Sequence, residues 1–326
     1  MSINKKRTKT LIAILIIFLF LTLFYKWQLA TSKYYLDRGD NNYNTEDYKQ
    51  ALKDYKYAAA IDGNRNIVYT AKIKRAEIFF ASGMFDEAKK ELFEAIKENK
   101  IGSEAYELLG DINYTERKFN LAADYYDQAL EFSGSDIDKN IKIKKGKNFI
   151  AQNRMDLAED IFSELYSENN GAKNSEVLYY LALLDFNKNI SFNDLLKEAG
   201  DSDSKILKNR IRKIENFISE YDENKNSDYN NVKIADLYNK INEPYLAVNR
   251  ISAVLENNQS YRDAWIISGE ANFIIGDYEK ALEDFQKALA FDGHNPEICF
   301  WLGSVYEKTG DVQKSKEFFE KYELLK

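Results

Sequence analysis

His294 and Cys299 are the only histidine and cysteine in 326 residues, so they form the one pairing that could supply a thiolate nucleophile and its base. A thiol attacks only as thiolate, which needs an exposed and electropositive setting. His294 sits in Gly293-His294-Asn295-Pro296, a turn sequence. Cys299 follows where a helix would point it inward, and free cysteines are mostly buried and inert. The pair reads as a loop residue and a core thiol, and no catalytic residue is expected. No G-x-S-x-G, Walker, G-x-G-x-x-G or H-E-x-x-H motif occurs. One His and one Cys cannot build the usual four-ligand zinc site, and no EF-hand loop ends in Glu at the required offset. Neither a metal nor a cofactor is expected, and the reading is not of an enzyme.

Non-covalent recognition has more residues behind it. Asp40, Glu77, Asp111, Asp236 and Glu270 recur at a long regular spacing, and Tyr43, Phe80, Tyr114 and Phe273 stand three residues after four of them. Lys147, Leu183 and Ser304 break the acidic series, and Asn239 and Glu307 break the aromatic one. Residues at i and i+3 share a helix face, so the two series would make parallel acidic and aromatic rows. Such rows suit a partner segment carrying Lys or Arg among apolar residues. The competing reading packs the aromatics between helices and leaves the carboxylates merely solvated.

Helices must carry these rows, and small residues reveal them. Gly39 and Ala51, Ala76 and Ala88, Gly110 and Ala122, and Gly146 and Ala158 stand 12 apart, as do Ala235 and Ala247, Gly269 and Ala281, and Gly303 and Ser315. Two helices of a hairpin approach closely only at small side chains, so each pair marks one hairpin. The second members recur at shifts of 37, 34 and 36 residues and, after an irregular unit, 34 and 34. The spacing of Ala122, Tyr126 and Ala129 keeps one stripe on one face.

The clearest copy, Ala264 to Asp292, has Trp265 and Gly269 on its first helix, Gly276-Asp277-Tyr278 at the turn, and Ala281, Phe285 and Ala288 on its second. It resembles the tetratricopeptide repeat, whose pattern is W-x2-L-G-x2-Y followed by A-x3-F. That resemblance implies an all-α, right-handed α-α superhelix of stacked hairpins whose first helices line a concave, protein-binding surface. Eight units are expected, at 31–62, 69–99, 103–133, 139–168, 175–222, 228–258, 262–292 and 296–326. The organisation expected is an N-terminal array over 31–189, an irregular helical insert or hinge over 190–227, and a C-terminal array over 228–326. Arg38, Arg75 and Lys145 depart from the family by replacing the leucine before the small residue. The Lys and Asn clamp that some family members use for a C-terminal carboxylate is not expected, because Leu36, Asp40, Thr70 and Lys74 hold its places.

Residues 11–25 form an apolar run interrupted only by Thr22, and Lys26 and Trp27 extend it to 17 residues, slightly under a bilayer's hydrocarbon core of about 30 Å. Residues 1–10 read as a basic cytoplasmic tail and 11–27 as a single transmembrane signal-anchor, with the repeats on the far side of the membrane. The alternative is a cleaved signal peptide, which would leave a secreted or periplasmic accessory subunit. The first 27 residues carry five positive charges and no acid, which leaves about −12 of the net −7 to the rest. A body that acidic is not expected to bind nucleic acid. The expected partner is a protein or peptide segment, basic and apolar, in envelope assembly, secretion or quality control. The last helix, with Phe318, Phe319, Tyr322, Leu324 and Leu325, is a candidate surface for homo-oligomers.

Overall fold

Seven hairpins turn at the same place. Seven residues after each small residue of the first helix, the backbone enters the left-handed region: Glu46, Gly83, Arg117, Asn153, Asn242, Gly276 and Gly310 have φ between 57 and 85°. In every one the next residue's N–H returns to a carbonyl five residues back, as Lys118 does to Asn113 and Asp277 to Asn272, each at 2.8 Å. This is the wrap that satisfies a helix's last carbonyls. Asp47, Asp277 and Asp311 then cap the second helix by accepting the N–H of Gln50, Lys280 and Lys314.

The structure is a computed structural model describing residues 2–61, 64–168, 174–188, 192–221 and 227–326, with side chains from residue 14 onward except 135–137. The side chains of the basic tail at 1–10 and of the first three residues of the expected span, 11–13, and residues 190–191 and 222–226 of the expected insert, lie outside the described residues. Within the described set there are 17 helices and no strand. They run as α1 (Ser2–Asn44) with α2 (Tyr48–Ala60), α3 (Arg65–Ala81) with α4 (Phe85–Glu98), α5 (Ser103–Thr115) with α6 (Phe119–Phe132), and α7 (Ser135–Ala151) with α8 (Met155–Glu168). The irregular unit is α9 (Ser175–Asn187), α10 (Asn193–Ala199) and α11 (Lys205–Glu220). Regular pairing resumes with α12 (Ser227–Lys240) and α13 (Pro244–Asn257), α14 (Arg262–Ile275) and α15 (Tyr278–Phe291), and α16 (Pro296–Thr309) and α17 (Val312–Leu325).

The chain divides into two units, Met1–Asn148 and Phe149–Lys326. The stretch expected as an insert over 190–227 lies inside the second. There α11 buries Leu207, Ile211 and Ile214. Arg210 reaches Glu243 at 2.8 Å, and Glu243 also accepts from Tyr180 at 3.2 Å. α12 already starts at Ser227, the last residue of the expected insert, and buries Asn230.

Each hairpin of the first unit closes on its small residue. A Cβ on Gly39 would come 2.6 Å from the ring of Tyr55, and one on Gly110 would come 2.5 Å from that of Tyr126. The second unit repeats this at Gly269, where Phe285 lies at 2.7 Å, and at Gly303, where Phe319 lies at 2.9 Å. Where an aromatic stands one turn after the second helix's small residue, as Tyr55, Tyr126, Phe285 and Phe319 do, it covers the glycine of its own hairpin and can also reach toward the next. Phe285 does both, stacking on Trp301 at 5.8 Å.

The arginines that replace the leucine are paired at the same spacing of 16. Arg38 binds the fully buried Asp54 through Nε at 2.8 Å, and Arg75 reaches Glu91 at 3.0 Å. In the second unit Ser268 donates to Asp284 at 2.7 Å from the equivalent positions. A buried acid demands a donor, and Arg38 and Ser268 supply it to Asp54 and Asp284.

α1 is continuous for 43 residues, roughly 65 Å at 1.5 Å per residue. Its apolar part is bare, with Phe20 68% exposed, while Gly39 further along is buried against Tyr55. The same helix is long and apolar enough to cross a membrane.

Candidate functional site

The first helices of successive hairpins lie side by side within each unit and line a groove. In the first unit α3, α5 and α7 surround about 330 Å³ bordered by Lys74, Glu77, Glu107, Asp111 and Lys144. In the second unit α12, α14 and α16 surround about 560 Å³, bordered by Asp236, Glu270, Glu297, Trp301 and apolar residues of α14. A smaller space of about 330 Å³ continues across α12 to Phe217 and Tyr221 at the end of α11.

All nine residues expected to line the groove are half-buried. The acids are not bare. Asp40 accepts the Tyr55 hydroxyl at 2.7 Å and Asp111 accepts that of Tyr126 at 2.9 Å. Burial, with those carboxylates adding to it, pushes both phenols far above their ordinary value. Lys144 bridges Glu107 and Asp111 at 2.6 Å each. Burial works against its charge, but the two carboxylates outweigh that and hold the ammonium above its usual range. Lys74 binds Glu77 at 2.9 Å and also feels Asp40; its ammonium too is held up against the cost of burial. Lys240 pairs with Asp236 at 2.7 Å.

Glu270 is different. Burial, together with Glu297 and Asp236, pushes its carboxyl up to about 7, although Asn239 and Trp301 hydrogen-bond to it and pull the other way. The like charges supply the rest of the rise.

The aromatic series packs within the hairpins. Tyr43 meets Tyr48 at 5.5 Å, Phe80 meets Phe85 at 6.0 Å, Tyr114 meets Phe119 at 5.7 Å, and Phe273 meets Tyr278 at 5.5 Å. Each ring thus packs on the aromatic that opens its own second helix, five residues on. Phe273 also meets Trp301 at 5.4 Å. Trp301, Glu297 and Lys144 were missed in the sequence. For Lys144 and Trp301 the signal was a shared register, two residues before the small residue of their helices, where Lys74 also stands; Glu297 has no such signal.

Cys299 is buried, and burial pushes its thiol up, which disfavours the thiolate. Among the described residues no three His, Cys, Asp or Glu side chains converge closely enough to hold a metal ion.

Comparison with known proteins bears on these grooves. Residues 32–148 match the family described as a tetratricopeptide repeat-like domain, 269–310 match TPR repeat, and 296–326 match tetratricopeptide repeat. Together they cover more than half of the chain. A TPR repeat-containing protein, MJ1428 of Methanocaldococcus jannaschii, is 25% identical over 328 residues, covering 91% of this chain and 55% of the relative. The chain thus spans about half the length of the curated relative it matches. Among solved structures, a tetratricopeptide repeat protein from Parabacteroides merdae aligns with TM-score 0.46 and 16% identity, covering 85% of this chain and 99% of that one. The crystal structure of MamA aligns with TM-score 0.41 and 17% identity over 56% of this chain and 97% of that one.

Proposed function

Since the chain belongs to the tetratricopeptide-repeat family, we propose that it is a protein-interaction scaffold held at a membrane by its first helix, binding a basic and apolar segment of a partner along its grooves. The observation that carries the reading is the run of first helices that bring acidic groups to a shared surface in each unit, with apolar walls in the second. Sites on such helices hold their side chains rigidly, which favours recognition of an extended segment.

Membrane attachment is supported by α1, whose bare apolar part continues into the first hairpin without a break. In this reading residues 11–27 span the bilayer, the basic end is cytoplasmic, and the repeats stand outside the cytoplasm. Recruitment for envelope assembly, secretion or quality control would follow from that position. Crosslinking in native membranes, followed by identification of neighbours, tests the proposal. Reproducible capture of one or a few proteins through residues of α3, α5, α12 or α14 is the expected result. A mature chain that starts near Lys33 and is released from membranes by carbonate would overturn the tether and favour a secreted or periplasmic accessory subunit.

Self-assembly is a second reading with its own observation. On α17 Val312 is 77% and Leu324 85% exposed, and Ser315 is the buried residue of that helix. Light scattering on the detergent-solubilised chain decides it: a strict monomer at high concentration excludes the reading.

A further inference from the structure

Resting on the reading of the grooves as partner-binding surfaces, we propose that the groove of the second unit takes one arginine side chain of the partner, its guanidinium seated between Glu270 and Glu297 beside Trp301.

The argument starts from the repeat itself. In the first unit two of the three acids that follow a small residue, Asp40 and Asp111, face a lysine of the next first helix, two residues before that helix's own small residue; over Glu77 the same place holds Leu108, and Lys74 of its own helix pairs with it instead. Lys144 binds Asp111, and Lys74 stands toward Asp40. The corresponding position over Glu270 is Trp301, which carries no charge. The place that Lys144 takes in the first unit is here an aromatic wall, and the cations that border the groove are engaged elsewhere: Lys240 with Asp236, Arg262 with Asp263 and Asp292, and Lys233 over the ring of Tyr229. Asp236 is already served by Lys240, so Glu270, whose donors Asn239 and Trp301 are neutral, and Glu297 are the carboxylates left for a cation.

Asn239 supplies a second, independent sign. It lines the groove and is 7% exposed. Its Nδ2 donates to the carbonyl of Ile267 at 3.0 Å, which fixes the amide's orientation. Its Oδ1 finds no donor. A buried acceptor without a donor costs free energy that a ligand N–H can return. Two ionised carboxylates and an amide oxygen accept only, and what complements them is a cation with several donors.

The geometry selects the kind of cation. Among the described residues no three acidic side chains converge closely enough for a metal ion. A planar guanidinium with five N–H donors serves acceptors that are spread apart, and its flat face suits an indole. Ile266, Ile267 and Ile274 border the same space and offer cover for apolar residues flanking the arginine. Burial leaves Glu270 protonated over part of the neutral range, the state expected of a carboxylate whose counter-ion is missing.

The test uses the full chain in detergent micelles with its three tryptophan indoles labelled with nitrogen-15, the Trp301 signal being assigned by Trp301→Phe. The probes are the capped tripeptide Leu-Arg-Leu and its analogue with citrulline, which keeps the shape and removes the charge. The arginine peptide is expected to move the Trp301 signal saturably and to bind at least tenfold tighter than the citrulline peptide. Glu270→Gln and Glu297→Gln should each weaken it at least fivefold. Glu297 is exposed, so its variant stays readable even if Glu270→Gln perturbs the fold. Equal binding of the two peptides, binding indifferent to both glutamates, or no binding of either overturns the proposal. If crosslinking still captures a protein on the first helices, the interaction reading survives and only the arginine pocket is lost.

Discussion

Gly110 lies directly under the ring of Tyr126, so close that a methyl group on its α-carbon would stand 2.5 Å from a ring carbon. The hydroxyl of the same ring donates to Asp111, the next residue after the glycine, at 2.9 Å. One side chain therefore closes the hairpin and occupies an acid of the groove. The chain holds its own control for this contact. Where the small residue is Ala76 or Ala235, the residue 16 further on is Leu92 or Ile251 and not an aromatic.

Gly110→Ala should cost about 2 kcal/mol, because overpacking outweighs the gain in helix propensity. Adding Tyr126→Leu should recover at least half of that, as it recreates the Ala76 and Leu92 pair. The remaining deficit is the lost hydrogen bond to Asp111, worth about 1 kcal/mol. Urea melts of the three proteins check this, and a neutral Gly110→Ala would show that the ring slides aside.

Asp54 and Asp284 occupy the same hairpin position with opposite electrostatics. Hydrogen bonding to Arg38 holds the Asp54 carboxyl below its ordinary 3.8. Burial pushes Asp284 above 3.8, although Ser268, Asn272 and the charge of Lys287 oppose it. A lowered folded value contributes stability above the unfolded value that is lost as pH falls through the folded one. A raised value does the reverse: it costs stability at neutral pH, and the cost fades as pH falls. At pH 7 Asp54→Asn should lower the melting temperature and Asp284→Asn should raise it. The effects of both should shrink between pH 7 and pH 3.

Four turns hold a side chain where φ is positive: Glu46, Arg117, Asn153 and Asn242. At Gly83, Gly276 and Gly310 a Cβ would meet nothing within 4 Å, so glycine is needed there for its backbone alone. Arg117→Gly should stabilise by about 1 kcal/mol, and Gly276→Ala should destabilise by a similar amount. Asn153→Gly should gain less, since asparagine tolerates the left-handed region. Denaturation midpoints of single variants test the ranking.

Glu270, with a folded value of about 7 against an ordinary 4.5, should make the second unit more stable as pH falls from 8 to 5. Protonation favours the folded form across that window, and Glu270→Gln should remove this part of the slope. Asp236, Glu297, Lys233 and Lys240 border the same groove and are unchanged in the variant. A slope unchanged by the substitution would contradict the assignment.

The hairpins were legible because small residues 12 apart admit only one local geometry, two helices touching at two notches. The amphipathic helix of the irregular unit was legible for the same reason: Leu207, Ile211 and Ile214 repeat at helical spacing and are the residues that α11 buries. The aromatic and acidic rows were legible as rows, but not as to what each row touches. Periodicity places a side chain on a face without saying whether a neighbour already fills its hydrogen bonds.

Local sequence alone thus determined the helices, their pairing and the apolar run that opens α1, since backbone propensity and side-chain volume act over a few turns. Tertiary structure alone decided which carboxylates are spent and which are open. Lys144 and Trp301 hold equivalent places in their repeats, yet one extinguishes the charge of Asp111 and the other leaves Glu270 with Glu297 as its neighbour. That difference depends on distances between side chains on separate helices, and on burial in each groove, which the order of residues along one helix does not contain.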